Sequence, residues 1–166
     1  MSENIITELL SDNHPPIDTL SDEKALSVML TSHMESVNSV KAILNEIKII
    51  VDQVYARLEK YKNSRLIYVG AGTSGRIGVQ DGAELYPTFG WPKNRAVFLI
   101  AGGEQALLRP VEDAEDDKKD ALLKVNELKI CSGDVIIGLA ASGNTIFTNE
   151  VILRSKLLGA LTIGIS

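Results

Sequence analysis

The chain has 166 residues, 45% hydrophobic and 23% charged, which is ordinary globular composition and enough chain for one buried core. A net charge of −5 without a basic tract argues against nucleic acid or an anionic membrane as partner, and it leaves room for a phosphate held locally by backbone amides and hydroxyls. The single Cys131 permits no internal disulfide, the opening MSENIITELLSDNHPP lacks a basic-then-apolar signal sequence, and no apolar run approaches membrane-spanning length, so a cytoplasmic protein is expected.

Residues 1 to 20 mix polar side chains with Pro15 and Pro16 and read as an extended arm. Ser21, followed by Asp22 and Glu23, is placed to cap a helical region that runs to about Tyr61. Within it Val37, Val40, Leu44, Ile47, Val51, Val54 and Leu58 alternate spacings of three and four and share one stripe. That stripe packs either on the rest of the fold or on an antiparallel helix, or it forms a helix-to-helix dimer seam. His14 and His33 stand in no metal-ligand spacing, and no metal site is expected.

From residue 63 the pattern changes to strands alternating with helices. Arg65 to Gly70, Ala96 to Ala101, Asp134 to Ala140 and Ala160 to Ser166 are short apolar runs of the kind buried on both faces of a parallel sheet. Helices are predicted around Gly75 to Leu85, Glu104 to Glu127 and Thr145 to Leu158. The expected fold is α/β, a doubly wound parallel sheet sandwiched by helices over 63–166, preceded by an N-terminal arm and helical segment over 1–62.

The first strand empties into AGTSG. Amides of Gly72, Thr73, Ser74 and Gly75 would lie at a helix N-terminus, where unpaired donors and the macrodipole favour a phosphate. Gly70, Gly72 and Gly75 also spell GxGxxG, but the dinucleotide reading wants an acid closing the second strand, and that run ends in Ala101, Gly102 and Gly103. The third strand repeats the design with Ser142, Gly143, Asn144 and Thr145 before a helical pattern. Two hydroxyl-rich turns suit one sugar phosphate held between neighbouring strand ends; the plain alternative is two ordinary strand-to-helix connections. The fourth run meets the end of the chain with no covering helix, which reads as a C-terminally incomplete domain, either part of a longer protein or a shortened one.

Four segments, YVGAGTSGRIGVQDGAELYPTFGWP, LIAGGEQALLRPVEDAEDD, GLAASGNTIFTNEVI and GALTIGIS, together with the opening ITELLSDNHPPIDTLSDEKAL, resemble the sugar isomerase (SIS) phosphosugar-binding domain. They are most similar to its N-acetylmuramic acid 6-phosphate etherase family, in order and spacing. The glucokinase regulatory proteins share the domain in a larger chain. The resemblance implies cleavage of the D-lactyl ether of N-acetylmuramate 6-phosphate to N-acetylglucosamine 6-phosphate and D-lactate, without metal or redox cofactor. In that chemistry the C1 aldehyde of the open sugar acidifies the C2 proton, a base removes it, lactate leaves C3, and water adds afterwards.

By the same resemblance the acid falls on Glu84 of DGAEL and the base on Glu115, with Glu112 competing because it would lie one helical turn away. Leu85 and Tyr86 stand before Pro87 where the family often has Cys or a second Pro. A continuous helix from Ser74 would carry Glu84 roughly 15 Å from the phosphate. Either Gly78 or Gly82 interrupts that helix, or Glu84 serves a site completed by another subunit. A homodimer is expected because the fourth run lacks a covering helix and the Val37 to Leu58 stripe also seeks a partner surface. The rival readings are a non-catalytic sugar-phosphate sensor or regulatory fragment, and an aldose–ketose phosphosugar isomerase on the same scaffold.

Overall fold

A computed structural model describes residues 15–166; most of the arm expected over residues 1 to 20, and His14, lie outside the described residues. The chain divides into two compact units, one ending at Gln53 and one comprising Val54–Ser166. In the first, helix α1 spans Asp22–Ala42, and the Ser21 hydroxyl accepts the Lys24 amide at 3.4 Å, as its capping position predicts. Ile43 (φ −110°, ψ 20°) breaks the run before α2, Leu44–Lys60. Val37, Val40, Leu44 and Val51 of the apolar stripe are exposed. Val54 and Leu58, at the end of α2 and within the second unit, pack against Leu66, Tyr68 and Val135.

The second unit holds β1 (Leu66–Gly70), α3 (Gly72–Ala83), α4 (Leu85–Phe89), β2 (Ala96–Ile100), α5 (Lys118–Glu127), β3 (Val135–Leu139), α6 (Ile146–Leu157) and β4 (Leu161–Ile165). All four strands are parallel, in the order β2-β1-β3-β4, and each lies within a predicted apolar run. Strand β1 is central and buried along its whole length, hence its unbroken apolar sequence. Its alternate side chains divide the core. Ile67 and Val69 join Ile136, Val125, Phe147 and Val151 on the face covered by α5 and α6, whereas Leu66 and Tyr68 join Phe98 and Leu85 on the face carrying α3 and α4. The order of strands reverses between β1 and β3, which makes the gap beyond their carboxyl ends the switch point of a doubly wound sheet.

One predicted helix is corrected. Glu104 to Glu127 is helical only from Lys118; before it run two short 3-10 turns, Glu104–Leu107 and Ala114–Asp116. Pro110 brings no N–H, and Gly102, Gly103 and Asp113 hold φ of 82°, 72° and 59°, so no helix can pass through. Among the described residues, no helix is long and apolar enough to cross a membrane.

At the amino ends of the strands the Asp134 side chain, 1% exposed, accepts from Arg65 Nε (2.9 Å), Arg65 Nη2 (2.6 Å) and the Cys131 amide (3.0 Å). Burial pushes this carboxyl up, but the hydrogen bonds from Arg65 and Cys131 outweigh it and hold it below its ordinary value. A carboxyl depressed in the folded state contributes stability that is complete above its unfolded value near about pH 4 and is lost as pH falls through the lower folded value. Asp134→Asn should therefore cost about 3 kcal/mol at neutral pH, since it strands a half-buried arginine, and should flatten the acid limb of stability against pH. Denaturant titrations between pH 2 and 7 measure both.

Candidate functional site

The turn after β1 and the first turn of α3 meet backbone to backbone. A Cβ on Gly70 would lie 2.7 Å from the Gly75 backbone, and one on Gly75 would lie 2.9 Å from Gly70. Gly72, at φ +52°, swings the chain from strand into helix with Ala71 as N-cap. The Gly75 amide bonds the Ala71 carbonyl at 3.1 Å and is therefore not a free donor, which narrows the predicted set. The amides of Gly72, Thr73 and Ser74 have no partner among the described residues, and they point from a helix N-terminus toward the switch point.

The turn after β3 is its neighbour, because Gly70 pairs with Leu139 across the ladder. Ser142 Oγ accepts the Asn144 amide at 3.1 Å, which leaves the Ser142 O–H proton free to donate. Gly143 sits at φ +68°, and Asn149 Nδ2, one turn into α6, donates to its carbonyl at 3.0 Å. Thr145 is the N-cap of α6. Asn149 thus fixes the shape of this turn, a role invisible to motif reading because an amide side chain within a helical pattern carries no local signal.

Residues 101–117 lie against the turn after β1, and the cavity between them is not lined by Ser142, Gly143, Asn144 or Thr145. Val111 folds over Gly102, where a Cβ would meet it at 2.9 Å; Ala114 tucks into the core; and the 3-10 turn carrying Glu115 packs against α6. A cavity of about 250 Å³ lies among Gly72, Thr73, Arg76, Glu112 and Glu115. This is below the roughly 300–1,000 Å³ of drug-sized sites. Glu112 and Glu115 are not one helical turn apart as expected: left-handed Asp113 separates them in irregular chain, yet both line the cavity. Asp117, by contrast, caps α5 by accepting the amides of Lys119 and Asp120 at 2.9 Å each, so the acidic run divides into a capping end and a cavity end.

Glu84 is elsewhere. Helix α3 continues unbroken from Gly72 to Ala83, so neither Gly78 nor Gly82 interrupts it. Both glycines instead let it approach the sheet, since a Cβ on Gly82 would lie 2.5 Å from the Phe98 ring and one on Gly78 would lie 3.1 Å from Leu139. The twelve residues of α3 place Glu84, between α3 and α4, about 18 Å along the axis from the free amides. Nearby, burial and the Asp81 carboxylate push the Tyr68 phenol up to about 12, so it holds its proton at neutral pH. Among the described residues no group of three His, Cys, Asp or Glu side chains is disposed to hold a metal ion.

The family model described as glucokinase regulatory protein N-terminal SIS domain matches residues 47–152. The chain is also similar to proteins named N-acetylmuramic acid 6-phosphate etherase. It is 40% identical to one from Listeria monocytogenes, over the whole chain and 55% of that protein. It is 36% identical to one from Mycoplasma mycoides over 99% of the chain and 55% of the relative, and 39% identical to one from Deinococcus radiodurans over 96% and 52%. The chain spans about half the length of the curated relatives it matches.

If both turns serve one anion, Ser142→Ala should weaken binding of inorganic phosphate by about 1–3 kcal/mol, the value of a hydrogen bond to a charged group. Calorimetry reads this directly. An unchanged affinity would remove the second turn from the site.

Proposed function

Because the chain belongs to the family of the glucokinase regulatory protein N-terminal SIS domain, we propose that it binds a phosphorylated amino sugar at the switch point of its sheet. The reaction proposed is that of its etherase relatives, cleavage of the D-lactyl ether of N-acetylmuramic acid 6-phosphate to N-acetylglucosamine 6-phosphate and D-lactate. The observation that carries this reading is the cavity that puts a carboxylate, Glu115, beside the free amides at the start of α3.

In this reading the phosphate rests on the amides of Gly72, Thr73 and Ser74 and on the Ser142 to Thr145 turn. The sugar then extends toward the 101–117 loop. Glu115 removes the C2 proton of the open-chain aldehyde, the C3–O bond breaks with departure of lactate, and the resulting unsaturated aldehyde takes up water at C3. The electron pair of the C2–H bond becomes the new double bond, and the lactate oxygen leaves with a proton supplied by the acid.

Glu84 takes the role of that acid in a site shared by two copies of the chain, since about 18 Å of helix separates it from the phosphate position in its own copy. The exposed stripe Val37, Val40, Leu44 and Val51 is the seam proposed for this cytoplasmic homodimer. A regulatory, non-catalytic sugar-phosphate sensor is the second reading, favoured by that same remoteness of Glu84.

Incubation of the chain with N-acetylmuramic acid 6-phosphate should release D-lactate. Glu115→Gln should lower release by about two to four orders of magnitude, with binding of N-acetylglucosamine 6-phosphate retained, whereas Glu112→Gln should turn over normally. Phosphosugar binding without any lactate selects the sensor reading. Mixing inactive Glu84→Gln and Glu115→Gln proteins should restore up to about a quarter of the activity when subunits exchange at random, and no restoration would place both carboxyls in one copy.

A further inference from the structure

The loop that carries Glu115 is held by small apolar contacts, Ala106, Val111 against Gly102 and Ala114 against the core, and the rest of it faces solvent. Leu108, Arg109, Glu112, Asp113 and Glu115 are exposed, and Pro110 contributes no backbone donor. Among the described residues, the hydrogen bonds between residues 104–115 and α3 come from a single side chain, Arg76. Its Nε donates to the Ala106 carbonyl at 2.9 Å and its Nη2 to the Arg109 carbonyl at 3.4 Å. Neither carbonyl has another partner among the described residues, so loss of the guanidinium leaves both without one.

We propose that Arg76 is a positioning residue, whose planar fork ties the 104–115 loop to α3 and so sets the separation between the Glu115 carboxyl and the amides of Gly72, Thr73 and Ser74. Arg76 immediately follows Gly75, the residue whose backbone is seated on Gly70. The phosphate turn and the loop clamp are therefore consecutive parts of one rigid helical turn. The guanidinium borders the same cavity as Glu112 and Glu115, but the two N–H groups named above are directed at loop carbonyls. A lysine at this position offers one ammonium in place of a fork and reaches one carbonyl at a time. As regards catalysis, this inference rests on the etherase reading; the restraint on the loop does not.

The test compares Arg76→Gln and Arg76→Lys with the unaltered chain in three measurements: amide hydrogen exchange, affinity for inorganic phosphate, and D-lactate release. Arg76→Gln should raise exchange over residues 104–115 about tenfold, leave β1 and β3 unchanged, and keep the phosphate Kd within about twofold. In turnover, kcat should fall more than about tenfold with KM nearly constant, and Arg76→Lys should lie between. Unchanged loop exchange overturns the proposal, as does a loss of phosphate affinity equal to the loss of kcat, which would make Arg76 a direct anion ligand. Should Arg76→Gln loosen the whole sheet, Arg76→Lys decides: a rise confined to 104–115 supports the clamp and no rise refutes it. Absence of lactate release from the unaltered chain defeats the etherase reading while the exchange measurement still decides the role of Arg76.

Discussion

The contact between Gly70 and Gly75 sets the geometry of everything at the carboxyl end of the sheet. With 2.7–2.9 Å available to a Cβ on either side, any side chain there lifts α3 off β1. Because the contact is backbone to backbone, the first turn of the helix arrives at the strand end with its donors unobstructed, and the residues on either side inherit fixed positions. Ala71 accepts the first helical hydrogen bond, Gly72 absorbs the left-handed bend, and Arg76 reaches across to the loop. Gly78 and Gly82 continue the close seating along Tyr68 and Phe98, so α3 behaves as a rod laid flat on its strands.

An anion at this place would meet an unfavourable background. The chain carries net charge −5, and the neighbouring loop brings Glu112, Asp113, Glu115, Asp116 and Asp117 in close succession. Against it stand the helix-end amides, whose attraction is of short range and which share the cavity with Glu112 and Glu115. Glu115 itself has no neutralising salt bridge among the described residues.

The strands were legible because β1 and β3 are covered on both faces and have no polar alternation to disguise them. Both strand-to-helix turns were legible for a related reason, since glycines and small hydroxylated residues directly after an apolar run mark where a strand hands over to a helix. The 104–117 stretch was misread because Glu104, Gln105, Ala106, Leu107 and Leu108 are good helix formers, and their propensity masked the backbone demands of Gly102, Gly103, Pro110 and Asp113. Arg76 and Asn149 escaped notice because their partners are backbone carbonyls, and a carbonyl leaves no mark in a sequence. The remoteness of Glu84 followed from the rise per residue alone, and the continuous α3 removes the interrupted helix as its explanation.

The opposite end of the sheet is saturated where the ligand end is open. There Arg57 donates to the carbonyls of Ser132 and Gly159, Arg65 to Asp134 and Leu128, and Arg95 to Ser64 and Leu58. Five-residue strands separate the two ends by about 17 Å, beyond the 7–10 Å within which substitutions usually couple. The molecule therefore offers two independent mutational territories. Changes that reshape the 101–117 loop draw nothing from the arginine belt, and a belt tightened in advance gives such changes a wider margin before the fold fails.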